Sequence, residues 1–541
     1  MNYQKKLFST TGKCASALVL LLALQSSPTI SSGQEPPDNV QGVEVFTRGP
    51  VHEAFAGIVT FDPQPGVVVA KAPPELIEEL PPDERPEGND VSWIPGYWAW
   101  DDERGDFLWV SGTWRALPPG REWNAGYWAE TAQGYQWISG YWSDVAEQET
   151  VYLPPPPTTV EAGPNVPAPS VDYGWTPGCW TWREEHYAWR PGYWAQGHSD
   201  WDWVPAHYVS TPRGCVFVDG YWDYPVQRRG VIYAPVRFDS AVYAQRDYRY
   251  SPSTVISLSV FTEHLFLRPR YNHYYFGDYY EPRYEKAGFH SSYSSYSRGR
   301  YYDPIYAQNR WEHRQDREWN DRMEESYRYR RDHASSRPPR SLADQRNMKR
   351  DPSDSDFRHR QVATSHRELA KDGDSPMRFQ KVKKEERQQL ALRGKEVQQS
   401  RDQRRMVEAS GSGKRGGKPS GDSKPTKVAR ERSPIAGKPI KELGKGRRPP
   451  EAQRAKMQDV KRQPGDPKRG AGAEDRRSSD KKAPAKSQPK KAKEEPKRGS
   501  ASSDKKAPAK SQPKKAKEEP KRGSASSDKK APAKSQPKKA K

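Results

Sequence analysis

Three groups of side chains in this sequence have the chemistry to act on something. Carboxylates stand beside tryptophans at Asp101, Asp102, Glu130, Asp144, Glu184 and Glu185, and two carboxyls held about 5–10 Å apart would make a glycoside-hydrolysing pair. The segment His198-Ser-Asp200-Trp-Asp202, with His207 beyond it, carries ligand-type residues. It crosses a turn and a strand without the fixed spacing of a metal site, so solvated turn residues are the expectation and no metal is assigned. Cys179 and Cys215 are the cysteines left once an N-terminal leader is removed. Motifs that would raise any of these to an active site are absent: there is no His-Glu-x-x-His, Gly-x-Ser-x-Gly or Cys-x-x-Cys. Gly411-Ser-Gly-Lys414 is no phosphate loop, because position 408 is Glu and Arg415 follows the lysine. No catalytic residue and no cofactor are assigned.

The elements that would hold such groups come from an internal repeat. Of the 19 tryptophans, 17 lie between Trp93 and Trp222, and no aromatic residue follows Phe379. Units of the form Trp-x-x-Gly-x-Trp occur at Trp93/Gly96/Trp98, Trp109/Gly112/Trp114, Trp123/Gly126/Trp128 and Trp137/Gly140/Trp142. A second group follows at Trp175/Gly178/Trp180, Trp189/Gly192/Trp194, the degenerate Trp203/Ala206/Tyr208, and Phe217/Gly220/Trp222. Leu153-Pro-Pro-Pro-Pro157 and Val166-Pro-Ala-Pro169 separate the groups, and such runs cannot continue a central strand.

Side chains five apart on one regular strand point to opposite faces. A β-bulge at each Gly, in the left-handed conformation, would return both tryptophans to one face. A tight turn at that point is disfavoured, because Pro95, Pro177 and Pro191 have φ locked near −65°. The expected fold is therefore mainly β: two four-stranded antiparallel meanders, each strand one bulged unit, with a tryptophan ladder on one face. Tyr97, Tyr127, Tyr141, Tyr193 and Tyr221 would project from the other face. They are either core shared between packed sheets or a stacking platform for the sugar rings of an envelope glycan. Cys179 and Cys215 fall in the first and fourth units of the second block. A disulfide between them needs Cα atoms about 4.4–6.8 Å apart, so it requires that block to curl until its edges meet.

The cleanest copies, Trp-Ile-Pro-Gly-Tyr-Trp at 93–98 and Trp-Arg-Pro-Gly-Tyr-Trp at 189–194, resemble the WXXGXW and YXWGXW repeat families of exported bacterial proteins. The resemblance covers about residues 93–222 and implies a periplasmic, cell-surface or secreted location. It implies no activity.

The rest of the chain fits export and limits the folded mass. Lys5, Lys6 and Lys13 precede an 11-residue apolar run, Cys14–Leu24, and small residues through Gly33. That is the order of a cleaved signal peptide over 1–33, too short for a membrane-spanning helix of about 20 residues. Hydrophobic residues make up only 33% of the 541, with a net charge of +21, so one compact globule is excluded. Residues 34–92 read as an acidic, Pro-rich arm, 93–144 and 175–222 as the repeat blocks, and 145–174 as their linker. A Tyr-rich β or irregular extension is expected over 223–308, a helix over 309–335, a linker over 336–377 and a charged helix over 378–409. Residues 410–541 are expected to be disordered, with copies of a 24-residue sequence starting at Ser478, Ser502 and Ser526 and no apolar side chain larger than Ala in them. Residues 471–541 hold 24 Lys and Arg against 9 Asp and Glu. This tail suits an anionic polymer: polysaccharide, lipid head groups or extracellular DNA. The functional expectation is a non-enzymatic envelope protein, structural or binding, with a glycan-active hydrolase using the turn carboxylates as the alternative.

Overall fold

Trp93 faces Trp114 across an antiparallel ladder, and Trp98 faces Trp109. The two units of each successive pair thus form one long hairpin. The first runs through Val91–Ile94, Tyr97–Asp101, Asp106–Val110 and Thr113–Ala116. Three more follow the same plan, pairing Trp123 with Trp142 and Trp128 with Trp137, then Trp175 with Trp194 and Trp180 with Trp189, then Trp203 with Trp222 and Tyr208 with Phe217. This computed structural model describes residues 42–245, 248–293, 302–349, 356–410, 424–444 and 448–450, all within one compact unit. Residues 1–33, read from the sequence as a signal peptide, and the 24-residue repeats lie outside the described residues.

The fold is mainly β, as expected, but the blocks are not four-stranded meanders. The first and second hairpins are not paired to each other; Gly230–Ile232 and Val236–Phe238 take the outer edge of the first instead. The third and fourth hairpins likewise stand apart, and Gly214–Val218 of the fourth pairs with Glu149–Leu153.

The bulge is also absent. On either side of each x-Gly step the register is unchanged, so neither strand carries an extra residue. Ladder pairing lapses on both strands together, at Pro95-Gly96 opposite Ser111-Gly112 in the first hairpin. None of the repeat glycines has the positive φ a bulge of that type would need. Because the strand period is preserved, the two Trp pairs of a hairpin enter different clusters. Trp93 and Trp114 pack with Val231 and Tyr233, whereas Trp98 and Trp109 pack with Val236 and Phe238. The single-faced tryptophan ladder is therefore replaced by a pair on each face.

Several segments read as appendages are interior. The arm carries Val51 and Phe55, both fully buried in the largest cluster, where they pack with apolar residues of the segments that follow the hairpins, among them Ile232, Phe261, Leu267 and Ile305. In the extension, Val255 lies in a strand that gives way to a helix at Leu258–Phe261, and a Tyr-rich sheet is built from Leu265–Arg268 and His273–Phe276. The helix expected over 309–335 is two, Pro304–Glu312 and Trp319–Asp332. The charged helix spans Lys384–Ser410. Part of the supposed disordered tail is ordered: Thr426–Ala429 adds a strand to Glu149–Leu153, and Ile435 is buried against Trp123 and Trp142. No described helix is long and apolar enough to cross a membrane.

Candidate functional site: a carboxyl clamp in the Trp hairpins

Where ladder pairing lapses, each glycine N–H is released from the sheet and needs another acceptor. At Gly96, Gly112, Gly140 and Gly178 a glutamate carboxyl supplies it. In the first hairpin Glu79 accepts from Gly96 N–H at 2.8 Å, from Gly112 N–H at 3.1 Å and from the Trp109 indole N–H at 2.6 Å. In the second, Glu53 accepts from Gly140 N–H and the Trp137 indole, both at 2.9 Å. In the third, Glu161 accepts from Gly178 N–H at 2.5 Å and the Trp175 indole at 3.0 Å. The recurring element is Trp-x-x-Gly, whose indole and amide N–H groups, three residues apart, converge on one carboxyl.

Close approach explains why the fourth position is Gly. A β-carbon on Gly96 would sit 2.3 Å from the Val110 carbonyl, and one on Gly112 would sit 2.5 Å from the Trp93 indole. The same overlap holds at Gly126, Gly140, Gly178, Gly192 and Gly220, each covered by the first tryptophan of the partner unit. The fourth hairpin departs from the pattern on both sides at once. Ala206 replaces a glycine where the smaller Phe217 replaces the tryptophan, and the two pack in one cluster. This hairpin draws on no threaded Glu: Asp219 caps Gly220 N–H at 3.0 Å, and the Trp203 indole N–H is buried without an acceptor among the described residues.

The second tryptophan of a unit grips the backbone of the same acidic segment. Trp98 donates to Glu75 O at 2.9 Å, Trp142 to Ala54 O at 3.3 Å and Trp180 to Thr158 O at 3.1 Å. The freed carbonyls on the opposite side of the lapse meet cations or imidazoles. Arg404, on the charged helix, donates to Ala125 O and Ser139 O, both at 3.0 Å, and His52 Nε2 lies 3.1 Å from Pro95 O. Arg404 also pairs with Glu408 at 2.9 Å. An ionic cluster of Arg115, Asp223, Arg229 and Asp202, almost wholly excluded from solvent, ties the first and fourth hairpins together.

Burial sets the electrostatics. It pushes Glu79 up to about 7 against the pull of the Trp109 indole and the glycine amides, and it raises Glu53 despite His273 and Trp137. Both carboxyls are spent on donors within the chain. The arrangement is a seat for one carboxyl group, which Glu79 brings on a short strand, Glu53 in a turn and Glu161 on an irregular segment.

Residues singled out in the sequence are distributed differently. Tyr97, Tyr127 and Tyr141 are buried, with Tyr97 stacked on Trp137 at 4.9 Å and the Arg404 guanidinium over Tyr127 and Tyr141. Tyr221 lies beneath Arg121, and Tyr193 is half-buried. They form no continuous open platform. Cys179 and Cys215 are free, buried thiols in separate clusters, because their units belong to different hairpins rather than to the two edges of one sheet. Glu184 and Glu185 form the exposed tip of the third hairpin, with φ of 46° and 65°. Asp200 is exposed beside Arg228, Asp202 is buried on Arg229, and His207 is buried with Nδ1 2.9 Å from Pro205 O. Asp101 and Asp102, joined by Glu103, do share a cavity of about 160 Å³ with Trp100, Tyr275 and Phe289.

Sequence reasoning misses the clamp acceptors Glu53, Glu79 and Glu161, although a signal exists. Glu79 and Glu161 stand 17 residues before Gly96 and Gly178, which is one 14-residue period ahead of Trp93 and Trp175.

No curated protein and no solved structure matches this chain. The family described as WXXGXW repeat (2 copies) matches residues 92–115, 123–143, 171–195 and 187–207. Two copies are what one hairpin contains, and within residues 92–207 the chain carries repeated copies of the WXXGXW unit.

Proposed function

We propose that this is an exported, non-enzymatic envelope protein in which the WXXGXW hairpins are a holding module and the basic tail grips anionic polymer. One observation carries the reading: in three hairpins the repeat's own donors are occupied by carboxyls of the same chain. Their work is thereby structural, which leaves external contact to other surfaces. The densest of these in charge is the tail, with 24 Lys and Arg against 9 Asp and Glu over 471–541. It has no aromatic side chain to stack, so its affinity is expected to come from counterion release and to fall steeply with salt. Polysaccharide, lipid head groups and extracellular DNA offer the same anionic repeat.

The test compares the full chain with one ending at residue 450 on immobilised heparin, at rising NaCl, with subcellular fractionation of the same expression culture. Retention that disappears with the tail supports the reading. Equal retention of both chains, or a full chain kept in the cytoplasm with its leader intact, sinks it.

A glycan-active reading has one observation in its favour, the aromatic cavity beside Asp101, Asp102 and Glu103. Its carboxylates are held by cations: Arg268 pairs with Asp102 and Arg48 with Glu103. Burial opposes ionisation of Glu103, but Arg48 and the Tyr284 hydroxyl outweigh it and keep this carboxyl below its usual range. That suits a fixed anion better than a proton donor. Release of reducing sugar from envelope polysaccharide by the purified chain would favour this reading instead.

A further inference from the structure

The turn of the first hairpin, residues 102–105, lies against the Tyr-rich sheet, and between them is the cavity of about 160 Å³. That is about the volume at which a cavity admits one six-membered ring. Its apolar walls are Trp100, Leu108, Tyr275 and Phe289. Trp100 belongs to no Trp-x-x-Gly-x-Trp unit, so neither the clamp nor the glycine contacts account for it. It meets Phe107 edge-on across the ladder at 5.2 Å and stays partly exposed. The polar rim is fixed in advance by pairs within the chain. Arg268, 5% exposed, lies 4.4 Å from the centre of the Phe289 ring and pairs with Asp102, which also accepts from the Tyr271 hydroxyl at 2.6 Å. Arg48, 9% exposed, lies over Tyr279 and pairs with Glu103, which also accepts from the Tyr284 hydroxyl at 2.8 Å. The side chains of Asp102 and Glu103 are still 39% and 33% exposed, so their oxygens remain within reach of a ligand.

We propose that this cavity binds one neutral sugar ring, stacked on Trp100 and held through its hydroxyls by Asp102, Glu103 and their arginines. The occupant follows from what the walls already contain. A cationic ligand would have to displace Arg48 and Arg268 from the aromatic faces they cover. An anionic ligand meets guanidiniums already neutralised by carboxylates. A purely apolar ring would strip water from Asp102 and Glu103 and give them no hydrogen bond in return. A neutral polyhydroxylated ring meets all three conditions: its C–H face covers the indole, and its hydroxyls donate to carboxylate oxygens and accept from guanidinium N–H groups. The inference rests on neither export nor the tail, and a neutral probe keeps the two apart, because a basic tail would collect an acidic sugar.

Saturation-transfer NMR on the full chain tests it, with glucose, galactose, mannose and N-acetylglucosamine each at about 50 mM, since so small a ligand is expected to bind in the millimolar range. At least one of these sugars is expected to receive saturation, and its affinity to fall about tenfold in Trp100→Ala. Trp182→Ala is the control. Trp182 meets Tyr187 edge-on at 4.9 Å at the corresponding place in the third hairpin, and its loss is expected to leave binding unchanged. A second readout needs no destabilising variant: in wild-type chain labelled with ¹⁵N-tryptophan, the indole resonance that Trp100→Phe lacks should move on titration with the sugar, while the one that Trp182→Phe lacks stays. Cyclohexanol, benzoate and tetramethylammonium, as apolar, anionic and cationic probes, are expected not to displace the sugar. No saturation of any of the sugars, an unmoved Trp100 resonance, equal losses in the two alanine variants, or displacement of the sugar by one of those three probes overturns the proposal.

Discussion

The first and third hairpins carry the same register, the same lapse in pairing and a Glu at the same distance ahead of the first glycine. They differ in what surrounds them. Trp93, Trp98, Trp109 and Trp114 are at most 3% exposed, packed under Gly230–Ile232, Val236–Phe238 and the charged helix, while the third hairpin keeps its tryptophans at the surface. The clamp is therefore a property of the repeat and needs no surrounding core to form. What the core changes is the cost of breaking it.

The largest effect is expected from filling the glycine space. Gly96→Ala places a β-carbon 2.3 Å from the Val110 carbonyl, with no room to relax, and should destabilise the chain by about 3 kcal/mol or more. Gly178→Ala meets a similar overlap, but an exposed hairpin opens locally, so the global loss should stay under about 1 kcal/mol. Urea melts followed by circular dichroism separate the two. Equal losses would show that burial does not govern the clamp.

Removing the acceptor comes next. Glu79→Ala leaves three N–H groups without a partner in the interior and should cost about 3 kcal/mol, against about 1 kcal/mol for Glu161→Ala, whose donors water can reach. The same melts give the ratio.

Between these and the subtler effects lies the question of what the chain discloses before folding. The repeat, its 14-residue phase and its β character are plain in the spacing of Trp93 through Trp222. Period-2 alternation correctly separates Trp93 from Trp98, and it is the supposed bulge at Gly96 that misplaces them. The glycine is needed for contact with an indole across the ladder, a pairwise fact that one strand's pattern does not reveal. The clamp acceptors are hidden for a related reason. Glu53, Glu79 and Glu161 sit in Pro-rich segments that read as solvated, and only their partners in space make them interior. Thr426–Ala429 enters a sheet from a charged, low-complexity stretch because Glu149–Leu153 offers an open edge.

A pH effect follows from burial. Glu79, raised to about 7 when folded from about 4.3 when unfolded, binds more protons in the folded state between those values. Its favourable contribution is complete below about pH 4.3 and is lost as pH rises through 7. The stability advantage of wild type over Glu79→Gln should therefore shrink across that window. Buried His52, His207 and His366, each lowered to about 4 by burial, act oppositely: their contribution is present above about 6.5 and is lost as pH falls through 4. Urea midpoints from pH 4 to 8 measure both, and a constant difference between wild type and Glu79→Gln would contradict the first.

The smallest expected effect tests the compensated unit. Ala206→Gly alone should cost under about 1 kcal/mol and Phe217→Trp alone should crowd the Ala206 methyl, whereas the pair restores the repeat and should show a coupling of about 1 kcal/mol in a double-mutant cycle.

The most direct measurement of the clamp is the indole N–H spectrum of ¹⁵N-tryptophan-labelled chain. The Trp175 resonance is identified by its absence in Trp175→Phe. In Glu161→Gln that resonance should move, because its charged acceptor is gone, while the Trp109 and Trp137 resonances, bound to Glu79 and Glu53, stay in place. A Trp175 resonance unmoved by Glu161→Gln would mean that the carboxyl does not hold the hairpin.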